Sequence, residues 1–303
     1  MPLHRLLIAC FFATMPGLVA ALHPGLARGQ DMALSGVLID NEGWQLVSQG
    51  HKFTEGPTAD AAGNVYFSDI PESRIHRISP AGEVSLFASD TGKTNGLKVG
   101  PDGRLFGCRG GDRQIVAYRP DGQFDVLARD VDCNDLALDD QGAIWFTDPP
   151  GGRVWHLPAG GDKKIVAEGL KPNGIGLWEG GGTLVVTDAQ LPVLWTFRVA
   201  ADGTLGSKER YYGPLQIPFG ADRPGSDGLT LDRQGRLYVA TFAGVQMFDP
   251  TGRLGGTIAR PQPGPLSNVC LGGARFDHLY VTAGDKVFRR RVQATGRSLQ
   301  KAP

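Results

Sequence analysis

The segment GAIWFTD (residues 142–148) opens on a turn-forming glycine, runs through a short apolar strand and closes on an acid. Five more segments share its shape: GNVYFSD (63–69), GRLFGC (103–108), GTLVVTD (182–188), GRLYVAT (235–241) and DHLYVTA (277–283). With Val65, Leu105, Ile144, Leu184, Leu237 and Leu279 aligned, the intervals are 40, 39, 40, 53 and 42 residues. A second strand pair follows each, as in RIHRISPAGEVSLFA, with Pro, Gly or Asp at most hairpin tips. A repeat of about 40 residues holding several strands is one propeller blade. The sequence therefore predicts an all-β chain, a six-bladed β-propeller. A two-sheet sandwich does not explain the regular interval. The interval of 53 absorbs an insertion around 206–225, expected as a loop over one face. The sixth unit is poor in a fourth strand. GWQLVSQG (43–50) can supply it, closing the ring and removing open sheet edges.

Composition agrees with a turn-rich β chain. Glycine fills 44 of 303 positions, roughly twice ordinary usage. The formal net charge is +0, so no basic face is advertised and no nucleic-acid partner is expected. Residues 1–30 stand apart: MPLHR is short and basic, and LLIACFFATMPGLVAAL is apolar but broken by Pro16. Small residues follow at Val19, Ala20 and Ala21. This reads as a secretory signal and flexible exit, leaving 31–303 as a single propeller domain. A periplasmic or secreted protein follows, with no stable membrane span after signal removal. A retained anchor is the rival, and Pro16 and the small residues count against it. The cysteines beyond the signal are Cys108, Cys133 and Cys270, whose spacing fits no zinc pattern. Three is odd, so at least one thiol stays free or pairs between chains, and buried, unpaired small residues are expected.

About ten residues before each anchor strand lies a second recurrent feature. It reads TEGP (54–57), TNGL (94–97), CNDL (133–136), PNGI (172–175), SDGL (226–229) and SNVC (267–270). The oxygen-bearing residues are Glu55, Asn95, Asn134, Asn173, Asp227 and Asn268, at offsets of 10, 10, 10, 11, 10 and 11. Asn-Gly and Asp-Gly also serve as turns, which is the plain reading of any one motif. Equivalent positions of a radial repeat, however, lie on a circle about the axis. Six such side chains at the starts of the innermost strands would face one end of the channel. A ring of carboxylate and amide oxygens without His or Cys suits a hard cation. Calcium leads because it tolerates irregular spacing, with Mg2+, Mn2+ and Zn2+ as other divalent candidates.

At these residues the chain resembles the senescence-marker-protein-30/gluconolactonase/luciferin-regenerating-enzyme family. CNDLALDDQGAIWFTDPP, LKPNGIGL, SDGLTLDRQGRLYVAT, GVQMFDPTGRLGGTI and NVCLGGARFDHLYVTA fall in the family's order, over roughly 37–292. The resemblance implies a six-bladed propeller with an axial divalent metal, and a lactonase or related hydrolase. Carried residue by residue, it implies Glu55, Asn134, Asn173 and Asp227 as metal ligands. It also places Asp227 beside the substrate as the catalytic base or nucleophile. Asn95, Asp132, Asp135 and Asn268 are candidate channel or substrate contacts, Asp135 also reading as a partner of backbone amides. Sugar-lactone members often carry an arginine where Asp132 stands, two residues before Asn134, and this departure weakens an aldonolactone assignment. Arg109 and Arg113 are alternative sources of positive charge, although both read first as solvated surface.

The expected activity is a divalent-metal dependent carboxylic-ester hydrolase, opening a small-molecule lactone or similar cyclic ester. A bound cation would polarise the ester carbonyl. Phosphotriester hydrolysis in the same site is one alternative; a non-catalytic ligand- or protein-binding propeller with structural calcium is the other. No Gly-x-Ser-x-Gly, phosphate loop or nicotinamide fingerprint occurs. His51, His76, His156 and His278 sit beside strands, where packed or solvated imidazoles are expected.

Overall fold

In the computed structural model, residues 34–300 are described, so the signal expected over 1–30 lies outside the described residues. The strand β1 (Gln45–Gln49) precedes six repeats, and the sheets form a six-bladed propeller. The first blade is β2 (Thr54–Ala59), β3 (Val65–Asp69), β4 (Arg74–Ile78) and β5 (Val84–Ala88). The second is β6 (Thr94–Val99), β7 (Leu105–Arg109), β8 (Gln114–Tyr118) and β9 (Phe124–Arg129). The third is β10 (Leu136–Leu138), β11 (Ile144–Asp148), β12 (Arg153–Leu157) and β13 (Lys164–Glu168). The fourth is β14 (Pro172–Leu177), β15 (Thr183–Asp188), β16 (Leu194–Val199) and β17 (Leu205–Glu209). The fifth is β18 (Leu229–Leu231), β19 (Leu237–Thr241), β20 (Gly244–Phe248) and β21 (Leu254–Ala259). The sixth holds β22 (Asn268–Gly272), β23 (His278–Ala283) and β24 (Lys286–Arg291), with β1 as its outer strand. There Gln45 faces Arg289 and Leu46 faces Phe288, and Leu38 bridges Val292 nearby.

Burial explains the recurrent apolar segment. The second strand of a blade has a neighbouring blade on each face, so it reads as a continuous apolar run rather than an alternation. Every residue of β11 and β19 is buried. Outermost strands face water, and β17 (LGSKE) is mostly exposed and charged, a sequence that discourages edge pairing. A separate apolar cluster fills each gap between neighbouring blades. Phe106, Cys108 and Ile115 of the second blade, for example, pack on Leu136, Ile144 and Phe146 of the third.

The long connection differs from the expected insertion in one respect. Leu205–Glu209 is a strand, so the irregular segment begins after Glu209 and runs to Leu229. Gln216 is tied to the Gln246 side chain through its N–H (2.8 Å) and carbonyl (2.9 Å). Ser226 donates to the Asp188 carbonyl at 2.6 Å, which anchors the segment just before Asp227.

The cysteine reading is corrected. Cys108 and Cys133 form a disulfide with Cα atoms 5.3 Å apart, while Cys270 is free and buried. Successive blades bring β7 against the start of the third blade, so residues 25 apart in sequence become neighbours. Among the described residues no helix is long and apolar enough to cross a membrane.

Candidate active site

The innermost strands are joined around the axis by one set of hydrogen bonds. Ser68 Oγ donates to the Asn95 carbonyl (2.7 Å), and Gly96 N to the Asn134 carbonyl (2.9 Å). Thr147 Oγ1 donates to the Asn173 carbonyl (2.6 Å), and Thr187 Oγ1 to the Asp227 carbonyl (3.0 Å). Gly228 N donates to the Ser267 carbonyl (2.9 Å), and Ser267 Oγ returns to the Thr54 carbonyl (2.8 Å). The first four blades thus fix the backbone of the oxygen-bearing residue in the next, and the last two fix the residue just before it. The hydroxyl donors were legible as the Ser or Thr before the terminal acid in GNVYFSD, GAIWFTD and GTLVVTD.

The glycine after several of these residues has a reason other than a turn. A Cβ at Gly56 would meet the Asn95 carbonyl, and one at Gly174 the Asp227 carbonyl. At Gly228 it would run into the Asn268 side chain. Close approach of neighbouring strands at the axis demands the missing side chain. Gly56 also has φ +55°, a backbone region that other residues avoid.

Packed this tightly, the side chains form one buried polar cluster. Glu55 is 4% exposed, and its Oε2 accepts from Gly56 N (2.6 Å) and Asn268 Nδ2 (2.9 Å). The Asn268 amide also hydrogen-bonds Asp135, whose Oδ1 accepts from Leu136 N at 2.8 Å. Asn173 hydrogen-bonds Asp227. Burial pushes Glu55 up to about 7, and the charge of Asp135 adds to the rise. Burial likewise pushes Asp135 up to about 6, against the pull of Lys98 and its amide donors. Asp227 is held well above the carboxylate range, by burial first and then by the charges of Glu55 and Asp135. Three carboxylates thus interact among the innermost strands, Asp135 joining the two, Glu55 and Asp227, that the family resemblance implies as metal ligands.

The donor chemistry fits a hard cation. Asn173 Oδ1 is buried without a hydrogen-bond partner among the described residues. Leaving such an oxygen unmet costs about 1–3 kcal/mol. Glu55, Asn173 and Asp227 supply oxygens alone, with Asn134 half-buried beside them at the start of the third blade. Asn95 is half-buried at the equivalent place in the second blade.

Asp132 does not join the buried cluster. It accepts from Arg113 Nη1 at 2.8 and 2.9 Å in an exposed ion pair. Arg109 pairs with Asp112 and lies over the Phe124 ring, 4.2 Å from its centroid. Asp148 and Asp188 close turns through Gly151 N and Leu191 N, as strand-terminal acids should. The sequence reading missed a grouping of His51, Asp69 and His76, whose ligand atoms lie within 4.8 Å of one another.

Comparisons with known proteins bear on this site. The profile described as "SMP-30/Gluconolactonase/LRE-like region" matches residues 53–285. A gluconolactonase of Zymomonas mobilis is 28% identical over 292 residues, covering 83% of this chain and 82% of its own. A pentonolactonase of Haloferax volcanii is 28% identical over 265 residues, covering 77% and 88%. Among solved structures, a gluconolactonase of Xanthomonas campestris superposes with a TM-score of 0.75 at 28% identity, covering 86% of this chain and 92% of its own.

Proposed function

The chain belongs to the SMP-30/gluconolactonase/LRE-like family, and from that membership and its axial carboxylate cluster we propose that it is a divalent-metal dependent lactonase, with calcium as the metal. Relatives that act on lactones support the reaction class. The observation that carries the metal is the orphaned Asn173 Oδ1 set among mutually repelling buried acids.

Glu55, Asn134, Asn173 and Asp227 would hold the cation, which supplies Lewis-acid polarisation of the ester carbonyl. Asp227 takes the proton from the attacking water at its carboxylate. The Thr187 hydroxyl fixes its backbone and Asn173 fixes its side chain, so the group is positioned before substrate arrives. Glu55 is held by Gly56 N and Asn268, which leaves it little freedom to turn away. Asn268, bonded to both Glu55 and Asp135, keeps those two acids apart. Arg113, anchored on Asp132, offers guanidinium donors where sugar-lactone members often carry an arginine. The Cys108–Cys133 disulfide supports work in an oxidising compartment, in line with periplasmic or secreted placement.

A pH-stat assay of the purified protein against neutral and acidic lactones of several ring sizes tests the proposal. Chelator should abolish ring opening and added calcium should restore it. Calcium binding without opening of any lactone would instead identify a ligand-binding propeller.

A further inference from the structure

A second grouping of ligands lies on the first blade. His51 leaves the β1–β2 connection, Asp69 ends β3, and His76 sits within β4. We propose that these three side chains form a zinc site, chemically distinct from the oxygen-only cluster on the axis.

The repeat itself shows what has changed here. In the third blade Asp148 accepts from the Trp155 indole N–H at 3.1 Å. In the fourth, Asp188 accepts from Trp195 at 2.9 Å. Each tryptophan stands seven residues after its aspartate, and His76 stands seven after Asp69. An indole can only donate, whereas an imidazole carries a lone pair for a metal. The first blade has exchanged the one for the other and added a second imidazole from outside the repeat.

The geometry suits ligands of one ion better than a hydrogen bond. His51 Nδ1 lies 3.6 Å from Asp69 Oδ2, too long for an imidazole–carboxylate bond. Two ligands on a tetrahedral zinc, each about 2.0–2.1 Å from the metal, stand about 3.3–3.4 Å apart. All three ligand atoms lie within 4.8 Å of one another, so modest side-chain rotation completes the approach. Outer contacts already fix the ligands, as metal sites require. Ser48 Oγ lies 2.7 Å from His51 Nε2, which turns Nδ1 towards the carboxylate. Lys52 N and Phe53 N donate to the Asp69 carboxylate at 3.1 and 3.2 Å. The His76 ring stacks on Phe67, centroids 5.2 Å apart. Burial lowers the pKa of both imidazoles, which keeps their lone pairs free. Two histidines and one carboxylate suit zinc and disfavour calcium.

Untagged full-length protein, stripped with chelator and saturated with calcium, would be titrated with Zn2+ by calorimetry. One zinc per chain is expected, with a rise in Tm; cobalt in its place should show the visible absorption of an imidazole-ligated ion. His76→Trp restores the residue used in the third and fourth blades, and His51→Gln leaves the repeat untouched. Each should weaken zinc binding by about 100-fold or more and remove the Tm rise. Absence of zinc binding by the wild type would overturn the site, as would wild-type zinc affinity in both variants. Loss of zinc binding on calcium saturation would overturn it too, by placing the ion on the axial oxygens.

Discussion

Replacing Glu55 with Gln removes one charge from the axial cluster while keeping the side chain's shape and its oxygen acceptor. In metal-free protein Glu55 has a pKa of about 7, against 4.5 for an unstrained glutamate. Between those values the native state holds a proton that the unfolded chain has released, so stability falls as pH rises through this window. Above pH 7 the full deficit is present. At about 1.4 kcal/mol per pH unit it is on the order of 3 kcal/mol, an upper figure because the neighbouring acids share it. Glutamine carries no such deficit and can still accept from Gly56 N and Asn268 Nδ2. In chelator at pH 8, Glu55→Gln should therefore melt above the wild type, by roughly 2–4 °C for each kcal/mol recovered. In millimolar calcium the order should reverse, because the wild type gains binding free energy that the variant lacks. Differential scanning calorimetry with and without calcium reads both effects. A variant that melts below the wild type by the same margin in both conditions would refute the reasoning, and Glu55 would then be a structural residue.

Four further outcomes are expected. Protons compete with the cation for Glu55, pushed up to about 7, and neutralise the neighbouring Asp135, pushed up to about 6, so calcium affinity should climb between pH 5.5 and 8; a flat calorimetric profile would contradict this. Asp227→Asn should retain much of the calcium binding yet abolish lactone opening, and turnover at the wild-type rate would remove its role as base. Thr187→Val leaves the Asp227 carbonyl and Gly174 N without their hydroxyl partner, at a cost of about 2 kcal/mol in denaturant unfolding; an unchanged midpoint would count against the interblade bonds. Reducing the Cys108–Cys133 bond, or changing both residues to Ala, should cost about 3 kcal/mol for a loop of this length. Thiol titration of the native, unreduced protein should then find no reactive pair, and two accessible thiols would refute the bond.

The architecture was legible because a radial repeat writes itself into the sequence as a period. Val65 through Leu279 mark the second strand of every blade, packed on both faces and therefore apolar until its polar final residues. The axial residues were legible for the same reason. Their glycines were visible too, but as turn signals; only the packing shows that Gly174 and Gly228 are needed where neighbouring strands nearly touch. Contacts between blades left no such trace. Cys108 and Cys133 meet through radial packing, which no spacing rule encodes. Asp135 was named, yet its membership of a three-carboxylate cluster depends on Glu55 and Asp227 arriving from distant parts of the chain. The pairing of Asp132 with Arg113 likewise arises where two loops converge.

The seam between β1 and β24 bears on how the molecule is made. Leu46 meets Phe288, so a strand made before the first blade must wait until the sixth blade has been synthesised. During translation five blades can assemble in order, while β1 remains an unsatisfied edge. Such sequence-distant pairing slows the final step and exposes intermediates to aggregation. Shortening the chain at either end beyond this seam would strand an open arc instead of removing a dispensable tail.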